Sequence, residues 1–400
     1  MPAASPGARP GAELTGPLAD PAFFAGDPYP LFARLRREAP VAWNDDVGFW
    51  AITKHADVLS ISKDPATFCS SKGILLMDLG RELPEIPGAL LYVDPPEHQR
   101  YRRLVQPAFA PSRIRALESF VRERARGLLD AVEPGAPLDA VAEIAVPFPL
   151  YVIADLLGVP AEDWPLFYRW SELLIDAATV QTDETMQAAV EMADYFMAVI
   201  AEKQAHPRDD LVSTLATVEV DGETLNEGEL MMFCGQLLVA GNETTRNLVS
   251  GGLVALADHP DQWRRLVDDR SLVTTAVEEL LRWTTPVTSF MRTATRDTEV
   301  RGQPVAEGEP VLLLYASANR DEEEFGADAD VFDVGRDPNH QLAFGFGEHY
   351  CLGAALARLE GRVMLEEVLA RFGSLQLAGE VRRLESGVIG GVLEAPMVFA

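Results

Sequence analysis

The chain has 400 residues, 48% of them hydrophobic, and a formal net charge of −28. That length supports a large core and by itself suggests two or three domains. The charge argues against nucleic acid or an anionic membrane as a partner. No run of eighteen apolar residues and no basic-then-apolar leader is present, so neither a membrane anchor nor a secretory signal is expected. Cys69, Cys234 and Cys351 are too far apart to form a disulfide scaffold and fit a reducing, cytoplasmic setting.

Read in chain order, the pattern is mainly α with minor β. Residues 1–17, rich in Ala, Pro and Gly, read as a frayed tail. Helical periodicity covers Pro30–Arg37, and a helix starts after the two prolines of Asp94-Pro-Pro-Glu-His-Gln-Arg-Tyr-Arg-Arg103. Helical stretches continue over Arg113–Val132, Trp164–Ala177 and Thr185–Ala205. The longest helix is expected from Asn226 to Asp258, with Thr224 and Glu227 as a capping box. Gln262–Asp268, Ser271–Trp283 and Leu352–Phe372 complete the helices. Strand-like runs are Phe49–Ile52, Val287–Phe290, Glu299–Val300, Pro310–Leu314 and Met397–Ala400.

The most informative segment is Phe344-Gly-Phe-Gly-Glu-His-Tyr-Cys-Leu-Gly353. It sets a lone cysteine on a glycine-punctuated loop that leads straight into a helix. Backbone N–H groups and the helix dipole favour a thiolate there. Gly345 and Gly347 can adopt backbone angles closed to other residues, and Gly353 removes a side chain where something large and flat could approach. One thiolate on a tight loop is what a haem iron needs as an axial ligand. A buried structural cysteine is the plainer alternative. The loop resembles the cysteine-ligand loop of the cytochrome P-450 family, the haem-thiolate monooxygenases, and further motifs extend the resemblance from about Phe23 onward.

That resemblance implies a single haem-binding domain over 18–400, with a long central helix covering haem b. It makes Cys351 the iron ligand, packs Phe344 beside the sulfur and directs His349 to a haem propionate. His98 and Arg102, four apart on one helix face, and Arg292 are the other implied propionate donors. In Ala240-Gly-Asn-Glu-Thr-Thr245, a mid-helix glycine costs about 1 kcal/mol relative to Ala, and a carboxylate in an apolar stretch is costly without partners. A solvent-exposed turn of helix is the simpler reading. The family resemblance makes it an oxygen-activation site: Ala240 and Gly241 leave room, Thr244 donates to dioxygen, and Glu243, where Asp is commoner, relays protons from solvent. Glu279 and Arg282 share a helix face among apolar neighbours. With Arg336 they match a structural ion-pair triad. His340 is one residue away from the usual family position, which Gln341 occupies, and carries no site role.

The implied activity is hydroxylation or epoxidation of a lipophilic small molecule (a steroid, terpenoid, fatty acid or polyketide) using O2. Electrons would come from a separate ferredoxin-type carrier with its reductase. The rivals are a peroxide-dependent haem-thiolate enzyme, a non-catalytic haem sensor or carrier, and a structural helical protein with accidental motifs. By resemblance the pocket is lined by Ile74, Leu75, Leu76, Met77, Leu174, Ile175, Phe233, Leu237, Val287, Phe290 and Ile389, drawn from segments that include 170–180. From Arg100 to Arg126 there are eight arginines and only two acids. This is either a solvated face or a docking patch, with Arg103, Arg113, Arg115, Arg358 and Arg362 as its candidates.

Overall fold

The structure, a computed structural model, describes residues 9–177 and 182–400, except the side chains of 175–177. Ile175 and residues 178–180 of the expected lining segment therefore lie outside the described side chains.

A five-stranded sheet is built from β1 (Val41–Asn44), β2 (Phe49–Ile52), β3 (Phe68–Cys69), β4 (Ser289–Ala294) and β5 (Pro310–Leu314), in the order β1-β2-β5-β4-β3. Only β2 and β5 pair in parallel. Their unbroken apolar runs follow from burial on both faces. Trp50, Ile52, Val311 and Leu313 enter one core, while Phe49, Ala51, Leu312 and Leu314 enter another, as the two-residue side-chain period requires.

The larger core is helical. The helices that shape the site are α1 (Glu97–Val105), α2 (Pro147–Leu157), α3 (Trp164–Ala177), α4 (Asp183–Ala205), α5 (Glu227–Asp258), α6 (Val273–Thr284) and α7 (Ala354–Arg371). At ~1.5 Å per residue, α5 spans about 48 Å. Its N-cap is Asn226, whose side chain accepts from the Glu229 N–H, while Glu229 accepts from the Asn226 N–H. The capping box is thus Asn226–Glu229, two residues beyond the expected Thr224–Glu227 pair.

Three further expectations are corrected. Residues 9–17 are not a frayed tail: Ala12–Thr15 is helical, Leu14 is buried, and Arg9 pairs with Glu309 while stacking on Trp43. The stretch 113–132 is two helices, Pro111–Ala116 and Glu118–Leu129. At the break the Leu117 N–H bonds to the Ile114 carbonyl, and each half buries its own apolar side chains, Ile114 in one and Val121, Ala125 and Leu129 in the other. Arg292 lies within β4 rather than after a strand, because Val287 makes only an isolated bridge to Ile389.

Candidate active site

A cavity of about 810 Å³ runs between α5 and the loop before α7. It gathers the predicted site residues other than the Glu279 triad: Cys351, Phe344, Gly345, His349 and Gly353 from the loop, Ala240, Gly241, Glu243 and Thr244 from α5, and His98, Arg102 and Arg292. Every predicted lining residue with a described side chain also faces it.

The loop curls as its glycines require. Gly345 and Gly347 have φ of 64° and 73°. A Cβ on Gly347 would lie 1.9 Å from the Ser62 carbonyl oxygen, so both backbone angle and space demand glycine there. The Cys351 N–H donates to the Phe344 carbonyl at 3.0 Å, closing the loop. Helix α7 begins at Ala354, two residues later than expected. Burial pushes the Cys351 thiol up, although the Gly353 N–H and the Arg102 and Arg358 cations act in the opposite direction. The helix terminus alone therefore does not yield a thiolate. A metal cation facing the sulfur would reverse this balance.

At the His98 end of the cavity, donors await an anion. His98 is 1% exposed and neither ring nitrogen has a partner. Its ring lies 4.3 Å from that of His349. Burial, helped by Arg102 and Arg292, lowers His98 to about 4 and lowers His349 as well. Arg102 and Arg292 meet only backbone carbonyls there, those of Tyr350 and Met291. An unpartnered buried imidazole beside two guanidiniums fits the carboxylates of a haem, with His349 next to it and Cys351 in the same cavity for the iron.

On α5 the side chains of Glu243 and Thr244 are both hydrogen-bonded to other residues of the helix. The Thr244 hydroxyl donates to the Ala240 carbonyl at 2.7 Å, and the helix continues unbroken. Glu243 is 3% exposed and accepts from Arg246 at 3.2 Å and Asn247 at 3.1 Å. Burial raises its pKa against the pull of Arg246. Its link to the surface is therefore indirect, through Arg246, which also donates to the half-buried Glu172 at 2.8 Å. Arg246 and Asn247 were not singled out from the sequence, although their spacing of three and four from Glu243 was the available signal. Gly241 lines the cavity, but its missing Cβ faces Ile153 of α2, which it would meet at 2.4 Å. Close helix packing explains this glycine at least as much as room for a ligand does.

The expected triad assembles outside the cavity. Arg282 and Glu279 are fully buried and bidentate, with both contacts at 2.7 Å. Arg336 reaches Glu279 at 3.3 Å. The carbonyls of Asn319, Ala329 and Val331 accept from Arg282, and the Asp333 N–H and Asn339 donate to Glu279. His340 is exposed and pairs with Glu324.

The basic stretch is partly neutralised internally: Arg100 pairs with Glu229, Arg122 with Glu118, Glu366 and Glu367, and Arg126 with Glu367. Among the docking candidates Arg358 pairs with Glu278 and Arg362 with Glu118 and Glu366, whereas Arg113 donates only to the uncharged Thr214 hydroxyl. Of the docking candidates, Arg103 keeps only long contacts of 3.8 and 3.9 Å, and Arg115 is exposed with no ion pair among the described residues. Sequence reading also missed the N-terminal lining residues Leu18, Pro21 and Phe24. The N-terminal trio carries no local signal, since their place at the cavity follows from packing against distant segments.

The family model described as Cytochrome P450 matches residues 150–387. A Mycobacterium tuberculosis protein named Putative cytochrome P450 126 is 44% identical over 373 residues, covering 89% of this chain and 90% of its own. The Methyl-branched lipid omega-hydroxylase of the same species is 39% identical over 388 residues, covering 92% and 90%. The solved structure of cytochrome P450 CYP109Q5 from Chondromyces apiculatus superposes with a TM-score of 0.87 at 38% identity, covering 96% of this chain and 98% of that one. A thiol loop, an anion-seeking imidazole pair and a polar turn of α5 around one cavity agree with these matches, and the chain belongs to the cytochrome P450 family of haem-thiolate monooxygenases.

Proposed function

We propose that this chain hydroxylates or epoxidises a lipophilic small molecule with dioxygen, taking electrons from a separate ferredoxin-type carrier and its reductase in the cytoplasm. The observation that carries this reading is the cavity itself, which brings Cys351 together with Glu243 and Thr244 among otherwise mainly apolar walls. Such walls suit lipophiles, and one relative is named for methyl-branched lipids.

Haem, once bound, supplies the activation of dioxygen and the oxidising chemistry. The protein's own groups hold and orient it. Cys351 offers its sulfur to the iron, His98, Arg102, Arg292 and His349 take the carboxylates, and Phe344, Gly345, Gly353, Ala240 and Gly241 shape the space. To act on dioxygen the Thr244 hydroxyl exchanges its bond to the Ala240 carbonyl for one donated into the cavity. Glu243, whose burial makes it hold a proton more readily than a surface carboxyl, swings between Arg246 and the cavity. It thereby carries protons from the Glu172 side. This acid–hydroxyl pair favours dioxygen over a peroxide-dependent reaction. The carrier docks near Arg103 and Arg115. No helix among the described residues is long and apolar enough to cross a membrane.

The test is a screen of lipophiles against the purified haem protein by Soret shift, followed by turnover of the hits with ferredoxin, reductase and O2. Oxygenated product dependent on the carrier is expected. Turnover by peroxide alone, unchanged in Thr244→Ala, would overturn the dioxygen reading.

A further inference from the structure

We propose that the side-chain carbonyl of Gln236 accepts a hydrogen bond from a substrate hydroxyl, so that the cavity selects neutral, hydroxylated lipophiles over fatty acids and other carboxylates. This rests on the monooxygenase reading above and narrows its substrate class.

Gln236 lies in α5 four residues before Ala240 and eight before Thr244, so all three fall on one stripe of the helix. At ~1.5 Å per residue it sits about 12 Å along the axis from Thr244. Its amide nitrogen donates to the Gly88 carbonyl at 2.7 Å and the Met232 carbonyl at 3.2 Å. Both partners are acceptors, so the amide can be placed only one way round, with the nitrogen towards them and the oxygen away. That oxygen has no partner among the described residues, and the side chain lines the cavity. The neighbouring lining positions on α5, Phe233 and Leu237, are apolar. The cavity thus presents an acceptor without a donor, and a ligand hydroxyl would supply one.

The charges of the lining point the same way. The arginines facing the cavity are Arg102 and Arg292, both beside the His98–His349 pair that suits the haem carboxylates. Elsewhere the lining offers a substrate no cation, and it includes the acid Glu385. A carboxylate placed against Gln236 would meet another acceptor and lose its hydration without compensation. A hydroxyl carries no charge to desolvate and brings its own donor.

The test compares decan-1-ol, its isomer 1-methoxynonane and decanoate as ligands of the purified haem-loaded protein, by Soret shift and calorimetry, above neutral pH. A net hydrogen bond of about 1 kcal/mol corresponds to roughly a fivefold difference in affinity. The alcohol is therefore expected to bind about fivefold tighter than the isomeric ether, which has no donor, and the carboxylate weaker than both. In Gln236→Leu the alcohol should fall to the ether's level while the ether is unchanged. If that variant fails to load haem, the three wild-type affinities decide the question alone. Equal binding of alcohol and ether, no binding of the alcohol, or tighter binding of decanoate overturns the proposal. The monooxygenase reading fails separately, through loss of the thiolate-type carbon monoxide spectrum or of carrier-dependent turnover.

Discussion

Breaking the Glu279–Arg282 pair should cost more stability than any single change in the cavity wall. Both side chains are fully exposed to protein and not at all to water. In Glu279→Gln, the guanidiniums of Arg282 and Arg336 would face each other with the shared carboxylate gone. Removing one partner of a buried pair typically costs about 3–5 kcal/mol, against a total stability of about 5–15 kcal/mol for a folded protein. In Arg282→Met, Glu279 keeps Arg336, the Asp333 N–H and Asn339. The carbonyls of Asn319 and Ala329 lose Arg282 as their donor, while Val331 keeps Arg336. We expect a loss of about 3 kcal/mol there and somewhat more in Glu279→Gln. The double variant should lose clearly less than the sum, because much of the Glu279→Gln loss comes from leaving Arg282 charged and buried without its carboxylate, and the double variant no longer has that guanidinium. Urea unfolding of the haem-loaded proteins, followed by far-UV circular dichroism, measures all three. Single losses below about 1 kcal/mol, or strict additivity, would refute the view that this cluster locks the segment leading into the Cys351 loop.

Four further outcomes are expected. Cys351→His should lose the red-shifted Soret band of the reduced carbon monoxide complex while haem remains bound; an unchanged band would move the ligand to Cys69 or Cys234. Thr244→Ala should keep substrate affinity yet divert reducing equivalents to peroxide or water, measured as product formed per NAD(P)H consumed, and wild-type coupling would place the proton path elsewhere. Charge reversal at Arg103 and Arg115 should slow stopped-flow reduction by the carrier at low salt, with the defect shrinking as salt rises; equal rates at low salt would show a merely solvated face. The fourth concerns Glu360, which is buried with no cationic partner among the described residues, so burial raises its carboxyl well above 4.5. The unfolded chain ionises this group first, so wild-type stability should fall by up to about 1.4 kcal/mol per pH unit above that value. Glu360→Gln should remove that slope, gaining on wild type as pH rises and converging with it in acid. Parallel unfolding profiles across pH would refute the assignment.

Much of this protein is legible in its sequence because the information is local. The Cys351 loop needs glycine at 345 and 347 for backbone reasons that hold wherever the loop is placed. Helix α5 announces itself by periodicity, although its cap lies two residues beyond the pair read from the sequence, and Glu279 and Arg282 meet through their spacing of three. Only the tertiary structure decided what depends on distant partners. Arg246 and Asn247 clamp Glu243, so its proton path is indirect. Glu278, Glu118 and Glu366 neutralise Arg358 and Arg362, which look free in the sequence, leaving Arg103, Arg113 and Arg115. Ile153, from another helix, gives Gly241 its packing reason, and the carbonyl of Gly88, 148 residues from Gln236, fixes which end of that amide faces the cavity. Backbone angle and helical spacing are properties of a short stretch of chain, whereas charge pairing, burial and the free end of a side chain exist only once remote segments pack together.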